Sequence, residues 1–222
     1  GRYLIEEVLG KGGMGVVLRG RDDILQRRVA LPLIQPQYLA LDATAGLRFL
    51  REAEIVALLN HPHIISVLDA GLDEGTAFLA FAYVTGPSFS QVRSHGRLST
   101  MAAVDLLLPI VSATAHAHKF GVVHGDLKPT NLILGSDYRG APHPWVLDFG
   151  VSFFTDLDAG MDPTHGRISG MPGSMAPEWF DENGIDGRAD CGSLGCVLYE
   201  LIADRGPFAG CQRISEAAEW AR

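Results

Sequence analysis

The sequence lacks any run of roughly 18 apolar residues, the length a membrane-crossing helix needs. Its longest apolar stretch, Met101 to Ala117, is interrupted by Asp105 and Pro109, so the expectation is that nothing here spans a membrane. Positive charge is also short. Against 26 Asp and Glu stand 18 Lys and Arg, and a formal net charge of −8 offers no general attraction to nucleic acid or to an anionic membrane surface. Cysteine is scarce: Cys191, Cys196 and Cys211 are odd in number and lack C-x-x-C spacing. That argues against a disulfide framework and for buried, inert thiols in a reducing compartment. The chain opens on Gly1 without a charged segment leading into an apolar one, so no signal peptide is expected. The expectation is a fragment that works in the cytoplasm, on its own or as the cytoplasmic part of a longer anchored protein.

What is present is enough for a substantial core. The 222 residues are 47% hydrophobic and 20% charged, which suits one two-lobed domain or two small ones. Tyr3 to Leu9, Val16 to Arg21 and Arg28 to Ile34 are rich in Val, Ile and Leu and separated by turn residues, which predicts a three-stranded antiparallel start. Leu47 to Leu59 has helical periodicity through Leu47, Leu50, Ala53, Ala57 and Leu58, and His61-Pro62 ends it. Two further strands, Ile64 to Ala70 and Thr76 to Val84, precede a short helix at Ser88 to His95. A long helix at Thr100 to His118 should kink at Pro109. Beyond it the chain reads as helix and loop, and Gly86-Pro87 marks the junction between a sheet-rich part, 1–85, and a helical part, 86–222.

Gly10-Lys11-Gly12-Gly13-Met14-Gly15 has the spacing G-x-G-x-x-G, which serves a dinucleotide fold, a nucleotide-covering loop or a plain hairpin turn. A dinucleotide fold needs the motif to open a helix, whereas Val16-Val17-Leu18 and the Asp22-Asp23 turn favour a returning strand. A P-loop is excluded because no G-K-[ST] follows. Glycines at these positions let backbone N–H groups approach phosphate oxygens with no Cβ in the way.

His124-Gly125-Asp126-Leu127-Lys128-Pro129-Thr130-Asn131 has the pattern H-x-D-L-K-x-x-N, Asp148-Phe149-Gly150 follows, and Ala176-Pro177-Glu178 comes later. With the glycine loop, these motifs stand in protein-kinase order from Gly1 to Gly210. On them the chain resembles a bacterial eukaryotic-like serine/threonine protein kinase domain. The resemblance implies an α+β, two-lobed fold: a small antiparallel-sheet lobe with one helix, and a mainly helical large lobe. It implies ATP and Mg²⁺ as cofactors and a protein carrying Ser or Thr as substrate. Phosphoryl transfer is mostly positioning and charge neutralisation, so each residue has one task. By resemblance Asp126 receives or orients the hydroxyl proton, Lys128 steadies the γ-phosphate, and Asn131 and Asp148 supply oxygens to the metal, a hard cation. Gly10, Lys11, Gly12, Gly13 and Gly15 would cover the phosphates. Val17, Ala30 and Ile133 would line the slot for the base, and Phe81, Ala82, Tyr83 and Val84 would form its inner edge and hinge; ordinary core packing is the competing reading for these apolar positions.

The sequence departs from the family pattern at several points. The third strand should read V-A-x-K, but Val29-Ala30-Leu31 is followed by Pro32, which leaves Glu52 without the cation it would pair. Impaired turnover is therefore expected, with a binding or scaffold module, a pseudokinase, as the alternative. Lys11 is the nearest replacement cation. Gly125 stands where an arginine would receive a phosphate on the activation segment, which puts control through Thr155, Thr164 or Ser169 in doubt. Met171 replaces a common threonine. Asp190 would brace the catalytic loop, and Glu178 would pair with an arginine in helices the family normally places beyond Arg222, so part of the large lobe is expected to be missing. Five histidines, His61, His63, His116, His118 and His124, suggest a metal site, but His116 and His118 lie about 200° apart on a helix and cannot grip one ion together.

Overall fold

The structure, a computed structural model, describes residues 1–11, 15–34, 45–149 and 186–209, without the side chains at 45, 48 and 52. The expectations for Gly12, Gly13, Gly150, Thr155, Thr164, Ser169, Met171, Ala176-Pro177-Glu178 and Cys211 fall outside those residues, as does any statement on the Glu52 carboxylate.

Strands β1 (Tyr3–Lys11), β2 (Gly15–Asp22) and β3 (Arg27–Ile34) form the antiparallel start, and helix α1 (Ala45–Ala57) leads to β4 (Val67–Asp73) and β5 (Thr76–Ala82). All five join one sheet in the order β1-β2-β3-β5-β4, with α1 packed over β4 and β5. The face that α1 buries only partly matches the one the periodicity picked: Ala53 is buried and Leu50 packs against the core, but Leu47 does not. Phe49, Ala53 and Val56 are the buried residues, whereas Leu47 and Leu58 are 64% and 63% exposed. Apolar spacing marks several candidate stripes on a helix, and contact with the sheet selects one.

After the sheet come α2 (Phe89–Ser94), α3 (Thr100–Lys119), a short 3₁₀ turn at Pro129–Asn131, β6 (Leu132–Ser136), β7 (Pro142–Val146) and α4 (Gly187–Ala203). Ser88 starts α2 with a capping box closed by Gln91, and Phe89 is fully buried beneath it. Helix α3 continues through Pro109. It is long and apolar enough, by length and composition, to cross a membrane, contrary to the reading that its polar interruptions rule this out. In the fold, Ala103, Leu107, Ile110, Ala113 and Ala117 are buried in the core that also holds Phe89, Leu132, Val197 and Leu201.

The β6–β7 hairpin is a strand pair that the reading of mostly helix and loop after α3 did not single out. Its strands are five residues each and β7 holds Pro142 and Pro144, so it has no strong strand signature; a two-stranded ribbon tolerates prolines where no ladder donor is needed. The junction before it is tight. Gly86 has φ +150°, and a Cβ there would come within 2.2 Å of the Leu134 carbonyl oxygen. The thiols also differ from expectation: Cys191 is exposed and Cys196 partly buried, both free.

Arg2 ties the sheet across its strands. Its guanidinium reaches buried Asp22 at 2.7 Å and Asp69 at 2.8 Å, and the Tyr3 hydroxyl donates to Asp69 at 2.7 Å. With the Leu25 and Ile24 amides also donating, Arg2 holds the Asp22 carboxyl down to about 2. A carboxyl depressed by folding adds stability above its ordinary pKa and loses it as pH falls to the folded value. Thermal melts should therefore show Arg2→Ala less stable than the parent at pH 7, with the gap between the two chains closing from about pH 4 to pH 2.

Candidate active site

The loop between α3 and the 3₁₀ turn is held from below by one carboxylate. Asp190, fully buried in the first turn of α4, accepts from His118 Nε2 and the His124 amide through Oδ2, and from the Gly125 amide through Oδ1, each at 2.8 Å. His118 thus serves the loop and points away from His116, and no group of three or more metal-ligating side chains converges among the described residues. The loop needs Gly125 for a geometric reason: its φ is +74°, a left-handed conformation that costs other residues roughly 1 kcal/mol.

His124 sets the loop's upper side. Its Nδ1 accepts the Asp126 amide at 3.2 Å, which puts the ring proton on Nε2, and Nε2 donates to the Leu147 carbonyl at 2.8 Å. The ring also packs on buried Phe149 at 4.7 Å. Asp126 then sits between two donors: Lys128 Nζ reaches its Oδ2 at 2.6 Å and Asn131 Nδ2 reaches the same oxygen at 3.1 Å and the Asp126 carbonyl at 2.9 Å. With its amide nitrogen so engaged, Asn131 has Oδ1 left to offer. The Leu147 amide donates to the Asn131 carbonyl at 2.9 Å, which brings β7's end, and so Asp148, beside it.

Asp148 has φ +60°, an uncommon value for a residue with a side chain. Burial pushes its carboxyl above the usual carboxylate range, and the neighbouring Asp126 adds to this while His124 and Lys128 oppose it. No hydrogen bond or ion pair reaches that carboxylate among the described residues. An Asn carbonyl oxygen next to an uncompensated carboxylate is a donor set for a hard divalent cation, so the residues fit Mg²⁺.

A cavity of about 430 Å³ opens above these groups. It is lined by Gly10, Val17, Ala30, Phe81, Ala82, Tyr83, Val84, Ile133, Asn131 and Asp148 among the residues singled out from sequence. Lys11 and Gly15 lie on the adjoining strands outside the lining, and Asp126 and Lys128 stand below it. Sequence reasoning missed Leu9, Ile65, Gly86, Gln91, Thr130 and Leu147, which also line it. Leu9, Thr130 and Leu147 are next to motif residues and were findable on that ground; Ile65 and Gln91 carry no signal.

Pro32 lines the same cavity. It lies on a strand paired on both sides, opposite Val17 of β2. The β3–β5 ladder pairs Val29, Ala30, Leu33 and Ile34 and passes over Leu31 and Pro32, consistent with the missing proline N–H. The wall that faces the metal-type pair therefore offers carbon in place of a cation.

Sheet lobe, helical lobe and the cavity at their junction define a two-lobed kinase fold. The crystal structure of the Mycobacterium tuberculosis PknI kinase domain matches it with a TM-score of 0.73 at 28% identity, over 93% of this chain and 76% of that one. The family model described as "Protein kinase domain" matches residues 3–221. Serine/threonine-protein kinase PknJ of Mycobacterium tuberculosis is 36% identical over 93% of this chain and 35% of its own length. The corresponding values are 36%, 93% and 38% for pkn3 of Myxococcus xanthus, and 34%, 100% and 35% for PknB of Mycobacterium tuberculosis. The chain belongs to the protein kinase family. It spans a little over a third of the length of these curated relatives.

Asp190→Ala should strand three donors, the buried His124 amide and the partly buried His118 ring and Gly125 amide, and lower the unfolding free energy by about 3 kcal/mol, measured by urea titration.

Proposed function

We propose that this chain is an ATP-dependent serine/threonine protein kinase domain whose turnover is limited by Pro32. The observation that carries the reading is the convergence of Lys128 and Asn131 on one oxygen of Asp126, beside Asp148 at the foot of a cavity of nucleotide size. Relatives named as serine/threonine-protein kinases support the same class. The division into a small lobe, 1–85, and a large lobe, 86–222, belongs to this reading.

In it, the apolar walls from Val17, Ala30, Phe81 and Ile133 hold the base, and the backbone of Ala82 to Val84 faces its edge. Asn131 Oδ1 and the Asp148 carboxylate hold Mg²⁺, which when bound neutralises charge on the phosphate oxygens. Asp126 is aimed by its two donors to receive the proton of an incoming hydroxyl, and Lys128 is close enough to pass from Asp126 to the transferring phosphate. Gly10, Lys11, Gly12, Gly13 and Gly15 cover the phosphates, and Lys11 supplies the nearest mobile cation from that side. Glu52 stays at the position of the partner of a strand lysine.

Pro32 in the cavity wall favours the second reading, a pseudokinase that binds nucleotide as a scaffold. A labelled-ATP assay separates the two. In the first reading the parent chain transfers phosphate slowly, Asp148→Asn abolishes transfer, and Pro32→Lys raises the rate by ~10²–10³, the usual worth of one preorganised electrostatic contact. Stabilisation of the parent by Mg-ATP, with transfer only from Pro32→Lys, would overturn the first reading in favour of the second.

A further inference from the structure

The connector between α1 and β4 is sewn to β7 in two ways. Main-chain bonds run from the Val146 amide to the His63 carbonyl at 2.8 Å and from the Ile65 amide to the Val146 carbonyl at 3.3 Å. Side chains add a reciprocal pair: His63 Nδ1 donates to the Pro144 carbonyl at 2.7 Å, and His143 Nε2 donates to the Pro62 carbonyl at 2.9 Å. The two rings stack with centroids 4.2 Å apart and planes 19° from parallel. We propose that His63 and His143 are positioning residues, a paired imidazole clasp that seats the strand leading to Asp148 and opens when its rings take up protons.

Each ring of the clasp donates from one nitrogen, so the other nitrogen is the one that accepts an added proton. Protonation therefore leaves both carbonyl bonds intact but sets two positive rings face to face. The neighbours make this worse. His61 lies 5.7 Å from His63 and 5.4 Å from His116, ring to ring. His61 Nδ1 accepts the His63 amide at 3.2 Å, so a proton on that nitrogen would face a donor. The buried His116 Nε2 has no hydrogen-bond partner.

The groups facing the cluster are His61 and His63 from the connector, Ser112, His116 and Phe120 from α3, and His143 and Trp145 from β7. No carboxylate acts on His61 or His63 among the described residues; burial and the other imidazoles hold both below the ordinary histidine range. The sign follows. A histidine whose pKa folding depresses keeps its contribution above the unfolded value, about 6.5, and loses it as pH falls below that toward the folded value. Loosening passes directly to the site, because Leu147, next after β7, donates to the Asn131 carbonyl and accepts from His124. This last link rests on the reading of Asn131 and Asp148 as the metal pair.

The test compares the parent with the double variant His63→Asn, His143→Gln, which keeps both donors and removes both imidazoles. Between pH 7.5 and 5.5 the nucleotide-free melting temperature of the parent should fall by about 4 °C or more, and the rise on adding Mg-ATP should shrink severalfold; in the variant, which keeps His61, both changes should be less than about half as large. Equal pH profiles in the two chains would overturn the clasp. A level Mg-ATP effect beside a falling nucleotide-free profile would overturn its positioning role. Absence of any Mg-ATP effect at every pH would overturn the nucleotide site and with it the positioning role, while the nucleotide-free profiles still decide the clasp. In the parent alone, amide protection at Ile65 and Val146 should drop about tenfold over the same range relative to β1–β2, and unchanged protection would count against the clasp whatever the variant does.

Discussion

The Asp190 carboxylate gathers three donors from two parts of the chain: the imidazole of His118 near the end of α3, and the amides of His124 and Gly125 in the loop that follows. A carboxylate with no exposure to water is tolerated only when its oxygens are so occupied. Those bonds fix where the loop turns, and the turn fixes Asp126. From Asp126 the contacts spread to Lys128 and Asn131, and through Leu147 to Asp148. The large-lobe site is one hydrogen-bonded chain that starts at a helix terminus. Gly125 serves that chain by entering a backbone conformation that would strain a residue with a side chain.

The small lobe is organised differently. Its five strands form one sheet with α1 packed over β4 and β5, and the arginines in and beside β1, β2 and β3, Arg2, Arg19, Arg21, Arg27 and Arg28, each stand within 4.0 Å of a carboxylate. Charge in this lobe is thus largely matched outside the cavity. The cavity itself is walled mainly by apolar side chains, Pro32 among them, and among the described residues its one charged lining residue is Asp148. The two lobes therefore contribute unequally: an intact set of polar groups below, and a shaped but cation-poor slot above.

Much of this was legible in the residues. The H-x-D-L-K-x-x-N and D-F-G motifs are dense, local strings whose members must be close in space because they are close in sequence, and they led to the large-lobe site. Strand runs were readable for the same reason. Long-range choices were not. The buried stripe of α1 is Phe49, Ala53 and Val56 because that face meets β4 and β5, and nothing in the periodicity of Leu47 and Leu58 reveals the partner. The β6–β7 hairpin is hidden by its prolines and its length. Cys191 is exposed because its place on α4 turns it outward, a fact that thiol statistics do not contain.

By itself, the sequence determined the order of the motifs, the donor types available for a metal and a proton, and the presence of a proline at position 32. The presence of Pro32 after Val29-Ala30-Leu31 is, like the rest, a property of covalent order that folding cannot add or remove; its standing as a substitution for a lysine belongs to the family resemblance. Tertiary structure alone decided that His118 serves Asp190, that Ile65 and Gln91 reach the cavity, and that four histidines from three elements meet behind β7. The His118–Asp190 contact joins residues 72 positions apart, and the others depend on which face of an element is buried, which the packing of the core selects.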